Sequence, residues 1–237
     1  TRRMKVRFKG YTRGEPLVNF PVLIVFSNGW EGFDYADFRS PPWHDLRFMT
    51  THRQSLHYEV EQWDTGGVSF VWVQLPVLSD TNDFIYAYWG QLGRARPDYT
   101  TNGLTWSEGF GGVWHFAETV THGGKQNDSS MYGNSATFYD ANGSSAAGTN
   151  GPVVGPATRL SGDADYYEVT NRSGIFASHA VTCEIWGRSE GVTWSDYGTL
   201  LTKRNQYMLH PQIEIRKWLR REKYKASHLP ALALSAF

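Results

Sequence analysis

The stretch HYEVEQWD, residues 57 to 64, places three carboxylates, Glu59, Glu61 and Asp64, within six positions. In an extended strand, residues two apart face the same way, so Glu59 and Glu61 share a face and Asp64 falls on the other. A one-residue bulge at Gln62 or Trp63 returns Asp64 to their side. Carboxyl pairs of this kind cleave glycosidic bonds when they stand ~5 Å apart and one is kept protonated by its surroundings. The plainer reading is a surface strand with its acids outward and Tyr58, Val60 and Gln62 on the opposite face.

Tryptophans form a second constellation, because sugar rings present apolar C–H faces that stack on indole while nearby amides and carboxylates take the hydroxyls. Trp30, Trp43, Trp63, Trp89 and Trp106 sit in or beside expected turns and are the exposed candidates; Trp72, Trp114 and Trp186 lie in alternating apolar runs and read as core. Calcium is the metal that hard oxygen ligands would take. Asp128 in NDSS, with Asp163 and Asp165 in SGDADYYEV, supplies such ligands, although aspartates in turns also bond their own backbone. The eight histidines are dispersed without a zinc spacing. GSSAAG, residues 143 to 148, approaches the G-x-S-x-G nucleophile pattern but sits in a polar loop. His44 beside Asp45, and His115 after Trp114, are candidate bases that read more simply as structural histidines. Cys183, the single cysteine, excludes an intramolecular disulfide framework and reads as a buried thiol in AVTCEIW.

The elements that must carry these groups are strands. Period-two alternation runs through MKVRF, PVLIVF, LHYEVEQW, VSFVWVQL, DFIYAYWG, YYEVT and AVTCEIWGR, punctuated by turn residues. An aromatic content of 15%, 24 glycines and only 19% charged residues suit an all-β protein. Short connections predict antiparallel β-sandwiches rather than parallel β-α-β units. The expected organisation is a sandwich over residues 1–90, a linker over 91–103 (QLGRARPDYTTNG), a second and incomplete sandwich over 104–204, and a basic tail over 205–237 in which IEIRKWLRREKYK suits an amphipathic helix. The passage HGGKQNDSSMYGNSATFYDANGSSAAGTNGP reads as surface loops around a weak strand. A formal charge of zero over 237 residues, with both signs scattered, gives no sign of a nucleic-acid-binding surface. No apolar run approaches the ~20 residues of a membrane span.

The order of GYTRGEPLVNFPVLIVF, FDYADFRSPPWHDLRF, LHYEVEQWDTGGVSFVWVQLP and DFIYAYWG, across residues 5 to 90, resembles a bacterial domain family of unknown function found in large secreted and surface proteins. TWSEGFGGVWHF, NDSSMYGNSATFYD, ATRLSGDADYYEV and AVTCEIWGR resemble the first half of a concanavalin-like, laminin-G-type sandwich, up to about Arg204. The spacing E-x-E-x-x-D is similar to the E-x-D-x-x-E strand of concanavalin-like glucanases, a resemblance that implies Glu59 as nucleophile, Glu61 as helper and Asp64 as acid/base. Together the resemblances imply a secreted or surface-exposed jelly-roll module that binds carbohydrate or another extracellular polymer, often with calcium. A hydrolase acting on glycosidic, ester or lactone bonds, and a structural spacer, are the alternatives.

Overall fold

A computed structural model describes residues 1–143, 146–150, 154–161, 164–170, 174–175, 180–187, 198–203 and 206–209. Among them the chain is all-β, with antiparallel pairing in every sheet. It divides into two compact units, Thr1–Phe176 and Ala177–Phe237.

Two three-stranded sheets build the first part of the larger unit. In sheet A, β1 (Arg2–Arg7) and β3 (Arg47–Met49) flank β6 (Phe84–Trp89); in sheet B, β2 (Leu17–Ser27) and β4 (Tyr58–Gln62) flank β5 (Val68–Leu78). The alternation seen in the sequence sorts these strands into faces. Val6, Phe48, Ile85, Ala87 and Trp89 of sheet A share one continuous buried cluster with Ile24, Phe26, Tyr58, Val71, Val73 and Leu75 of sheet B. Burial of a large apolar side chain contributes roughly 1.5–3 kcal/mol, so this cluster is the main source of stability. Its rim is aromatic: Phe33 lies 5.4 Å from Trp89, and Trp63 lies 5.2 Å from Tyr35 and 4.9 Å from Phe38.

Beyond β6 the chain does not separate into a linker. Gln91 donates its backbone N–H to Asp45 Oδ1 at 2.8 Å, Arg47 Nη2 donates to the Ala95 carbonyl at 2.9 Å, and Thr100, in a 3-10 turn over Asp98–Thr100, is buried. The expected boundary at 91–103 is therefore corrected: that segment is docked on the first region, and the division falls after Phe176. The reason is local chemistry, since the glycine and proline content that suggested a linker serves a turn instead. Gly103 has φ +79°, and a Cβ there would collide with the Ser130–Met131 backbone, a position that favours glycine.

The remainder of this unit holds β7 (Lys125–Gln126), β8 (Ala136–Tyr139) and β11 (Tyr166–Glu168) in one sheet, and β9 (Ala146–Asn150) with β10 (Pro156–Arg159) in another. The polar passage expected to hold one weak strand thus contains three. In the smaller unit β12 (Leu201–Lys203) pairs with β13 (Tyr207–Leu209), so residues 207–209, expected in the tail, are strand. AVTCEIW has no strand pairing over 180–187; Trp186 is 46% exposed and Cys183 is half-buried. IEIRKWLRREKYK lies outside the described residues. No helix among the described residues is long and apolar enough to cross a membrane.

Candidate functional site

Strand β4 sends Tyr58 and Val60 toward the shared core, so Glu59 and Glu61 project from the other face of sheet B. The strand carries a bulge: Val60 pairs with Val71 and Gln62 with Phe70, leaving Glu61 as the extra residue. The irregularity sits one position earlier than the sequence suggests. Reversed parity beyond Glu61 turns Trp63 inward onto Phe26 and Tyr35. Asp64 does not join the other acids. Its Oδ1 accepts the Gly66 N–H at 2.9 Å in the turn toward β5, so it is a turn-forming residue rather than the acid/base of a carboxylate trio.

The groups that meet Glu59 and Glu61 come from β5 and from the segment that follows the docked stretch. Trp72, opposite Glu59 in the ladder, donates its indole N–H to Glu61 Oε2. Trp106, in a 3-10 turn over Leu104–Trp106, packs 5.1 Å from the Trp72 ring and donates to Glu59 Oε2 at 2.6 Å. Ser129 Oγ donates to Glu59 Oε1 at 2.6 Å. His115 stands between the acids, Nε2 3.6 Å from Glu59 Oε2 and Nδ1 3.4 Å from Glu61 Oε2. These are ion-pair separations, longer than direct hydrogen bonds. Gly155, at φ +61°, lies against the Glu61 carboxyl, where a side chain would collide with it.

Electrostatics follow from this packing. Burial, the largest influence on His115, disfavours its charge, yet the two carboxyl groups outweigh it and raise the imidazole to about 10. Burial likewise opposes ionisation of Glu59, but His115, Ser129 and Trp106 together hold its carboxyl below the usual range. His115 is consequently an imidazolium at neutral pH and Glu59 a carboxylate. The Glu61 side chain is 5% exposed and that of Glu59 23%, so the pair is accessible from one side. There a cavity of about 110 Å³ opens, walled by Glu59, Glu61, Glu118, Asn127 and Ser129 as well as His115. Asn127 Nδ2 donates to Glu118 Oε1 on its rim.

The other sequence candidates are dispersed. Trp89 is fully buried and Trp106 is 5% exposed, while Trp30 and Trp63 pack against the apolar core. The expectation of exposed rings at these positions is corrected: Trp30, Trp63 and Trp89 pack into the apolar core, and Trp106 packs on Trp72. Trp43 is the exposed member at 37%. Trp72, expected in the core, is half-buried on the Glu59 face; Trp114 is half-buried and donates Nε1 to the Asn134 carbonyl at 2.9 Å. Asp128 organises its own loop, accepting from the Val113, Ser130 and Asn134 amides and the Ser130 hydroxyl. Asp165 accepts from the Ala141 amide and from the amide and hydroxyl of Ser161. Asp163, Ser144 and Ser145 lie outside the described residues. Among those described, no three His, Cys, Asp or Glu side chains gather as an ion would require.

Comparison of the chain with family models, with curated proteins and with solved structures finds no match.

Proposed function

We propose that the protein binds a hydroxyl-rich extracellular polymer, a carbohydrate by chemical class, at the crevice beside Glu59 and Glu61. The observation that carries this reading is a pair of carboxyl groups fixed by Trp72, Trp106, Ser129 and His115 on the wall of a small cavity that mixes polar groups with Val60 and Ala117. Acceptors already held in place lose little freedom on meeting a ligand hydroxyl. The cavity is smaller than the ~300 Å³ at which pockets begin to enclose a drug-sized molecule, so one hydroxylated arm of a chain enters while the rest lies across the surface. Stacking plays a lesser part than the sequence suggests, since Trp89 and Trp106 are buried. The resemblances over residues 5–90 and 104–204 support an extracellular setting, and the sandwich architecture they imply belongs to the same proposal.

Hydrolysis is the second reading, favoured by the ionised Glu59 next to an imidazolium. It is the weaker one, because Asp64 is engaged in a turn and an imidazolium near 10 gives up its proton reluctantly at neutral pH. A glycan array paired with a hydrolase screen separates the two. Binding is expected to weaken at least several-fold in Asn127→Ala and Glu118→Gln, with the fold intact by circular dichroism. Unchanged affinity in both variants sinks the binding site. Bond cleavage abolished by Glu59→Gln establishes hydrolysis in its place.

A further inference from the structure

The outer face of sheet A carries a second, chemically different surface. Because Val6, Ile85, Ala87 and Trp89 point into the core, the alternate residues Arg3, Lys5 and Arg7 of β1 and Phe84, Tyr86 and Tyr88 of β6 point outward. The ladder pairs Arg3 with Tyr88, Lys5 with Tyr86 and Arg7 with Phe84, so each cation faces a ring across the strand. Lys5 Nζ lies 3.4 Å above the Phe84 ring and Arg3 Cζ 4.8 Å above that of Tyr86. All three cations are exposed, and none forms a salt bridge among the described residues. The carboxylate of Asp83, at the start of β6, is turned back onto the Ser79 and Asp80 amides. A chain with zero formal charge therefore presents a sheet face with three exposed cations and no acid among the outward residues of β1, β3 and β6.

From this juxtaposition we infer that the outer face of sheet A docks an anionic polysaccharide, its carboxylates on Arg3, Lys5 and Arg7 and its hydroxyls on Tyr86 and Tyr88. Charge complementarity selects a polyanion, and two guanidinium forks match carboxylates two bonds at a time. The ring arrangement argues for a glycan over a single-stranded nucleic acid. Base stacking needs free ring faces, whereas cations cover one face of Phe84 and of Tyr86, and neighbouring rings stand edge-on, at 83° between Phe84 and Tyr86. The inference is independent of the Glu59 crevice.

Titration with polygalacturonate tests it, with dextran as the neutral polymer and oligothymidylate as the competing polyanion. Polygalacturonate binding is expected to fall roughly tenfold in the triple variant Arg3→Gln, Lys5→Gln, Arg7→Gln and comparably on raising salt, while neither change alters the response to dextran. In an Asn127→Ala background the triple substitution should cost polygalacturonate the same factor, since the two surfaces act separately. The thermal melt of the triple variant should match that of the parent; if it does not, Lys5→Gln alone, with its melt confirmed, must still weaken binding. Equal affinity in parent and variants, no binding by the parent, or tighter binding to oligothymidylate overturns the inference.

Discussion

Two regions of the larger unit sequester carboxylates, and they do so in opposite ways. Asp45, 2% exposed at the end of the short helix Pro42–Asp45, accepts three backbone N–H groups, from Arg39, Gly90 and Gln91. Glu59 and Glu61 are held by side chains, namely two indoles, a serine and an imidazolium, and border a cavity. Backbone donors fasten a chain path: Asp45 ties the segment before β3 to the exit of β6. Side-chain donors instead position the acids and leave a lone pair able to meet something else. The difference teaches that carboxylate burial alone does not indicate function; what matters is which atoms satisfy it and whether a space adjoins.

The comparison can be broken most forcefully at His115. His115→Ala removes the cation between two carboxyl groups and is expected to cost about 3–5 kcal/mol of unfolding free energy, read by urea denaturation; a loss under 1 kcal/mol would make the ion pair incidental. Next comes pH. His115 has a folded value raised above its ordinary 6.5 to about 10, so its stabilising contribution is complete below 6.5 and drains away as pH rises toward 10. The melting temperature should decline across that window in the parent and decline less in His115→Gln. Asp45→Asn should cost about 2 kcal/mol by leaving buried amides poorly paired, without altering ligand affinity at the crevice. Ser129→Ala inverts that pattern, costing about 1 kcal/mol or less while weakening ligand binding. Smallest is Asp64→Asn, expected within about 0.5 kcal/mol and without effect on binding; a lost activity there would restore the three-carboxylate arrangement.

The strands were legible because their signal is local. PVLIVF, LHYEVEQW, VSFVWVQL and DFIYAYWG correspond to β2, β4, β5 and β6, and alternation correctly places Glu59 and Glu61 on one face. The rest of the site was not legible. His115 looked like an isolated histidine because its partners lie far upstream, and Ser129 and Trp106 reach Glu59 across 70 and 47 positions. Neither spacing repeats any short motif. Tryptophan exposure failed for a different reason: adjacency to a turn says where the backbone bends, not which way a large ring folds, and an apolar rim recruits the rings that can cover it. Asp64 stands apart because β4 ends at Gln62 and its carboxylate is taken up by the Gly66 amide in the turn to β5, and alternation does not show where a strand stops.

The long reach of Ser129 and Trp106 to Glu59 also has a kinetic consequence. Contacts that close such wide loops form slowly compared with hairpins such as β4–β5. Pairings of the core such as Arg2 with Trp89 are as wide, but both sheets lie within residues 1–89 and emerge first in synthesis, so the core is expected to assemble before Glu59 finds Trp106 and Ser129. During that interval Glu59 stands in water while Glu61 already has the Trp72 indole, and a nascent chain would hold its future crevice open until residues through 129 had emerged.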